Sequence, residues 1–278
     1  MKVFAIGDLH LSGNPPTKPM DIFGPHWDNH WSRIKEDWID RVTDEDIVFL
    51  VGDMSWALRL DEAACDLQEI ASMPGKKYMI RGNHDYWWAS ANKMRNLMGD
   101  AITFLQGHGT AELIQTEEGP RIIAFGGTRA YLCPGDSHFT PETDQSIYDR
   151  ELMRTEAALQ EMNKAVEILR EEITAEANVD ITKLNKADTT DSDKAYPSAI
   201  DIDSIPVTKI LLLHYPPFNE SNAPSGFTDL IEQYKVDTCI FGHLHDQISF
   251  KRIPKEFGSA KLELVSADYL DFRLKEIM

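Results

Sequence analysis

Short runs of apolar and β-branched residues recur along the chain: KVFAIG (2–7), DIVFLVG (46–52), KYMIRG (77–82), RIIAFGG (121–127), TKILLLH (208–214) and DTCIFGH (237–243). Runs this short, apolar at successive positions, predict strands buried on both faces. Helical patterns lie between many of them. Over 29–42, Trp31, Ile34, Trp38 and Val42 fall at spacings of three and four, and 60–72, 88–98 and 228–234 behave similarly. Strands alternating with helices indicate an α/β fold. From Ile248 onward the pattern predicts further short strands.

Four of the predicted strands end in Gly followed at once by polar residues: IGDLH, VGDMS, RGNHD and FGHLH. A fifth, LLLHYPP, ends in His and two prolines. In α/β folds the strand ends gather along one sheet edge, where ligands bind. Polar residues spread from position 8 to position 245 are therefore expected to converge.

Residues 142–205 break the pattern. A long helix is predicted from Gln145 to Ala175, with Leu152, Leu159, Met162, Val166, Leu169 and Ile173 on one stripe, and a polar stretch follows it. This segment holds sixteen acidic and seven basic residues, a net of −9, half the chain's −18. The expectation is one domain over 1–278 with an acidic helix-plus-loop insertion at 142–205.

A net charge of −18 makes a long nucleic acid a poor partner, since Lys and Arg contacts dominate phosphate-backbone binding. A small phosphate-bearing molecule would have to be attracted by something local, and bound cations would do that. No stretch reaches the roughly 20 apolar residues of a membrane helix. MKVFAIGDLH reads as a first strand and not as a signal peptide, so a cytoplasmic location is expected. The three cysteines, Cys65, Cys133 and Cys239, have no CxxC spacing and indicate neither disulfides nor a thiolate metal site. Cys239, within TCIF, reads as a buried small residue.

Asp8 and His10 lie two apart, as do His243 and His245, so on extended chain each pair would face the same side and reach one ion. Carboxylate and imidazole together suit Fe, Mn, Zn, Ni or Co. Either pair alone is weak evidence. The ordered set DLH, GD, GNHD, H and GHLH is much stronger, because five of the nine histidines fall in it.

That ordered set resembles the calcineurin-like metallophosphoesterases, over residues 2 to about 250. Within that family the chain is most similar to uncharacterised bacterial phosphohydrolases that carry the same GNHDYWW run. The resemblance implies a four-layer αββα sandwich of two mixed β-sheets flanked by helices. It implies that Asp8, His10 and His245 hold one metal, that Asn83, His214 and His243 hold a second, and that Asp53 bridges them. It also implies that His84 meets the substrate beside the metals, with Asp85 orienting it.

Two cations roughly 3.5–4 Å apart, sharing a hydroxide, can clamp a phosphate ester for in-line displacement. His84 would then be the general acid that protonates the leaving alkoxide. Trp56 stands where the family often has Asp. Trp56, Tyr86, Trp87 and Trp88 are candidate walls of a substrate pocket, Arg129 is a candidate phosphate contact, and His26 and His30 are weaker candidates.

The expected activity is hydrolysis of a small-molecule or nucleotide phosphate ester. The alternatives are a nuclease or cyclic-nucleotide phosphodiesterase on the same site, or a catalytically silent metal-binding scaffold.

Overall fold

The computed structural model describes the backbone of residues 1–187 and 202–278, and the side chains outside 176–201. Eleven strands and six α-helices follow one another in it: β1 (Val3–Ile6), α1 (His30–Arg41), β2 (Ile47–Val51), α2 (Leu60–Ala71), β3 (Lys76–Ile80), α3 (Ala91–Met98), β4 (Thr103–Phe104), β5 (His108–Thr116), β6 (Gly119–Thr128), α4 (Pro141–Ala187), β7 (Val207–Leu213), α5 (Gly226–Gln233), β8 (Thr238–Phe241), α6 (Gln247–Arg252), β9 (Glu256–Phe257), β10 (Ala260–Leu264) and β11 (Lys275–Glu276).

They form two mixed sheets, ordered β11-β1-β2-β3-β4 and β5-β6-β7-β8-β10-β9. Period-two alternation explains the layering. Val3, Ala5, Ile47, Phe49, Val51 and Ile80 of the first sheet face Ile123, Phe125, Ile210, Leu212 and Ile240 of the second. Phe49 and Phe125 meet across this gap with ring centroids 5.0 Å apart. The intervening residues point outward. Phe4, Ile6, Val48, Leu50 and Met79 pack on Ile34 and Trp38 of α1, Leu67 and Ile70 of α2 and Met94 of α3. Ile122, Ala124, Leu211, Leu213 and Phe241 pack on Leu159 and Met162 of α4 and Phe227 and Ile231 of α5. Burial on both faces is why these strands read as continuous apolar runs, and each such buried side chain contributes roughly 1.5–3 kcal/mol. The arrangement is the helix–sheet–sheet–helix sandwich that the family resemblance implies.

Strands β1, β2 and β3 run parallel, as do β6, β7 and β8. Ile6 pairs with Leu50, Val51 with Ile80, and Thr128 with Leu213, so within each sheet the C-terminal strand ends lie level. The sheets are tied at this edge: Gly7 donates its N–H to the Val265 carbonyl (2.7 Å) and accepts from Ala267 N–H (3.1 Å).

Several elements differ from the sequence pattern, the short β4 among them. Residues 247–252, expected as strand, form α6, because the Asp246 carboxylate caps it by accepting from the N–H groups of Ile248 and Ser249. The sequence pattern did not reveal β5, which pairs antiparallel with β6 through a turn at Glu117 and Glu118. The long helix starts at Pro141 and runs to Ala187, beyond the expected Gln145–Ala175, and much of the polar stretch after it lies outside the described residues. Of its apolar stripe, Leu159, Met162 and Val166 are buried, with Leu152 and Leu169 packed beside them. Cys239 is fully buried. Among the described residues no helix is long and apolar enough to cross a membrane.

Candidate metal centre

The loops leaving β1, β2, β3, β7 and β8 bring seven polar side chains to the common edge: Asp8, His10, Asp53, Asn83, His214, His243 and His245. They do so through left-handed turns and not through an extended chain. Asp8, His10, Asp53 and His243 all have positive φ, at 58°, 49°, 57° and 71°. This corrects the expectation that spacing by two on extended chain aims each pair. The backbone turns immediately after the strand, and the cost, on the order of 1–3 kcal/mol per residue, is met by tight hydrogen bonding around it. Asp8 N–H donates to the Gly52 carbonyl at 2.9 Å, and His10 N–H to that of Asp53 at 3.0 Å. The glycines preceding the polar residues have a steric purpose. A Cβ at Gly82 would strike the Asp53 carboxylate, and one at Gly242 would strike Asp8.

Asp8, His10 and His245 offer ligand atoms within 4.8 Å of one another, and so do Asp8, Asp53 and His214. His245 Nε2 lies 3.3 Å from both His10 Nε2 and an Asp8 oxygen. Asn83 Oδ1 lies 2.7 Å from His214 Nε2 and 2.9 Å from His243 Nδ1. His214 Nε2 is 3.5 Å from Asp53 Oδ2, which connects the two groups. His214 Nδ1 faces the Val51 carbonyl at 2.9 Å, and His245 Nδ1 faces Asp268 Oδ1 at 3.0 Å, so each ring turns its Nε2 inward.

Charge is unevenly distributed over these rings. Burial opposes a charged His214, yet Asp53 and Asp8 hold its pKa up at about 9. The same opposition at His245 is overcome by Asp8 and Asp268, giving about 10. Burial dominates at His10 and His243 and pulls them down to about 4 and about 3. Burial works against ionised Asp8 and Asp53, but the facing histidines hold both carboxyls below the usual range.

His84 is half-buried beside this cluster. Its N–H donates to Asp53 Oδ1 at 2.7 Å. Its ring lies 4.5 Å from Trp56 and 5.9 Å from His10. Burial lowers its pKa below 6.5. Trp56 also stacks nearly parallel on His10 at 4.7 Å, so the residue replacing the family's frequent Asp holds two imidazoles in place.

Asp85 does not orient His84, as the resemblance implied. Its carboxylate accepts from the N–H groups of Asp53 (2.9 Å), Met54 (2.9 Å), Ser55 (3.4 Å) and Gly82 (2.7 Å), and from Trp87 Nε1 (3.0 Å). It clamps the Asp53 loop to the Asn83 loop. Burial and the nearby Asp53 charge push its pKa up to about 6 despite those donors. Trp87 is buried and Trp88 packs on Phe104 at 5.3 Å, so both serve packing, while Tyr86 is 56% exposed with its ring 6.2 Å from His84. Arg129 stands just past β6, its guanidinium 5.6 Å over the Tyr131 ring. His30 is occupied by the Leu9 carbonyl (2.9 Å), and His26 is exposed.

Sequence reasoning missed Asp268 and the packing of Tyr215, whose ring lies 4.0 Å from that of His243. Asp268 carries no motif around it; Tyr215 is adjacent to His214, which was a usable signal.

No curated protein matches the chain. Among solved structures it is similar to a protein of unknown function, AQ665 from Aquifex aeolicus, at 12% identity and a TM-score of 0.45, covering 99% of this chain and 95% of that one. It is also similar to the sulfate thiohydrolase SoxB of Thermus thermophilus, at 13% identity and a TM-score of 0.46, covering 96% and 52%. A third is the calcineurin-like phosphoesterase YfkN from Bacillus subtilis, at 12% and 0.45, covering 100% and 88%. A sequence model of the calcineurin-like phosphoesterases matches residues 1–247. The chain belongs to the calcineurin-like phosphoesterase family, which implies metal-dependent phosphoester hydrolysis.

Proposed function

We propose that this chain hydrolyses a small-molecule or nucleotide phosphate ester at a centre of two metal ions. The observation that carries the reading is the pair of overlapping ligand groups, Asp8–His10–His245 and Asp8–Asp53–His214, within 4.8 Å. The donor set fits cations. Buried carboxylates, imidazole nitrogens and an amide oxygen converge with no Lys or Arg among them, and His10 Nδ1 is buried without a hydrogen-bond partner among the described residues. Asp8, His10 and His245 would hold one ion and Asn83, His214 and His243 the other, with Asp53 between. Bound there, two divalent cations would neutralise the phosphate oxygens and lower the pKa of the attacking water.

The chain's own groups do the rest. Two carboxylates against two divalent ions leave about +2, which attracts an anionic ester to an acidic protein. His84, held by Trp56 and adjoining the ligands, donates the proton that the leaving alkoxide needs. Asp85 keeps Asp53 and Asn83 at fixed separation. Asn83, Tyr86 and Arg129 would meet substrate oxygens. The net charge of −18 favours small esters over polynucleotides. Residues 142–205 are an acidic insertion in this one catalytic domain.

Assay of p-nitrophenyl mono- and diesters with and without Mn²⁺ tests the reading. Metal-dependent turnover is expected, and no turnover of either ester with any divalent metal overturns it.

A further inference from the structure

We propose that the cleft beside His243 binds the nucleoside portion of the leaving group, with the base between Tyr131 and the Phe218–Ile248 side. The inference rests on the phosphoesterase reading and names the substrate class it serves. The cleft has a volume of about 350 Å³ and opens at His243, one of the convergent imidazoles. That is the scale of one small molecule and not of an oligonucleotide.

Tyr131, Tyr215 and Phe218 line it, together with the polar Asp136, Asn219 and Glu220. Tyr215 lies against His243 and is 5.7 Å from Tyr131 at an interplanar angle of 52°. The two rings are held differently. Tyr131 Oη donates to Asp144 at 3.0 Å, which fixes that ring. Tyr215 is only 8% exposed, and its hydroxyl has no hydrogen-bond partner among the described residues, so a donor is free at the end of the cleft next to the reacting centre. Ile248, 62% exposed, supplies an apolar surface that packs no core. Arg252 also lines the cleft, its exposed guanidinium has no partner among the described residues, and its N–H groups suit the acceptor ring nitrogens of a purine.

The larger cavity on the His10 side, about 620 Å³, carries Asp21, Asp28, Asp66 and Glu69 against Lys18 and Lys35, a net of −2, whereas the cleft carries Asp136 and Glu220 against Arg252, a net of −1 and the less repulsive of the two. In the reaction, the water oxygen bonds to phosphorus, the P–O bond to the nucleoside breaks, and the nucleoside leaves with the proton. The leaving group then occupies the cleft as a neutral alcohol.

Saturation-transfer NMR with adenosine, on the full chain without phosphate, reads occupancy independently of turnover. Native protein is expected to bind adenosine. Tyr131→Leu and the cleft-filling Ile248→Trp, at an exposed position, are each expected to raise Kd at least fivefold. Ser32→Leu, in the larger cavity, is expected to leave it unchanged. No binding by the native protein, or weakening by Ser32→Leu alone, overturns the inference. In parallel, Tyr131→Leu is expected to lower at least tenfold the ratio of kcat/KM for adenosine 5′-monophosphate over glycerol 2-phosphate; an unchanged ratio overturns it. Adenosine binding weakened by both cleft variants with no ester turned over would sink the phosphoesterase reading and leave the cleft standing. Ester turnover without adenosine binding would do the reverse.

Discussion

The Asp8–His10–His245 side of the cluster and the Asn83–His214–His243 side each pair one imidazole held up in pKa with one held down, near 10 and 4 on the first side and near 9 and 3 on the second. Their anionic support differs. The first side has Asp8 3.3 Å from His245 and a second carboxylate, Asp268, behind that ring. The second side has the neutral Asn83 and depends on Asp53, which it shares. Exposure differs as well: the His245 side chain is 34% exposed and that of His214 is fully buried. Similar ligands in unequal fields should take up cations in order, the Asp8 side first and the Asn83 side second, and Asp53 should control both.

Asp53→Asn is expected to break both sides at once. Losing the shared carboxylate removes several kcal/mol of charge stabilisation, or about 10³-fold in turnover, with metal content well below two per chain. Metal analysis and steady-state rates read this directly, and retention of two ions would refute the bridging role. His84→Ala touches neither side's ligands. It should leave metal content intact and cut turnover about 10²-fold or more, with a smaller loss for p-nitrophenyl esters, whose leaving group needs no proton. Loss of the metals in that variant would show that His84 holds the centre together.

Asp268→Asn should weaken only the first-filling site, by about 10–100-fold in affinity, since a carboxylate behind a ligating imidazole fixes its tautomer and raises its basicity. Equal weakening of both sites would erase the distinction between the two sides.

The smallest effect is in pH. His214 and His245, with pKa raised to about 9 and about 10, keep protons at pH 7 that cations must displace. That competition fades as pH rises through those values. Metal affinity should therefore climb from pH 6 towards pH 9, with protons released on binding. Calorimetry in buffers of different ionisation enthalpy checks this, and pH-independent binding would contradict it.

Much of this was legible in the sequence. Apolar runs marked the central strands, and the Gly–polar junctions marked the common edge, because a strand buried on both faces must end where its polar residues begin. The two sides themselves were not separable by spacing alone. His243 and His245 lie two apart and serve opposite sides, through a left-handed turn that spacing does not encode. Asp268 was invisible because it follows the parallel strand β10 in SADYLD, with no motif, and reaches His245 only through the tie between Gly7 and the Val265–Ala267 segment. The resemblance implies that Asp85 orients His84, whereas its burial directs its carboxylate to five N–H donors.

Two unequal cation sites that together perform ester hydrolysis are tested most directly by titrating metal-stripped protein with Mn²⁺, following heat and p-nitrophenyl ester turnover in the same samples. Two ions per chain are expected, the first bound more tightly, with turnover rising on the second. One ion per chain with full activity, or two ions with none, would contradict this.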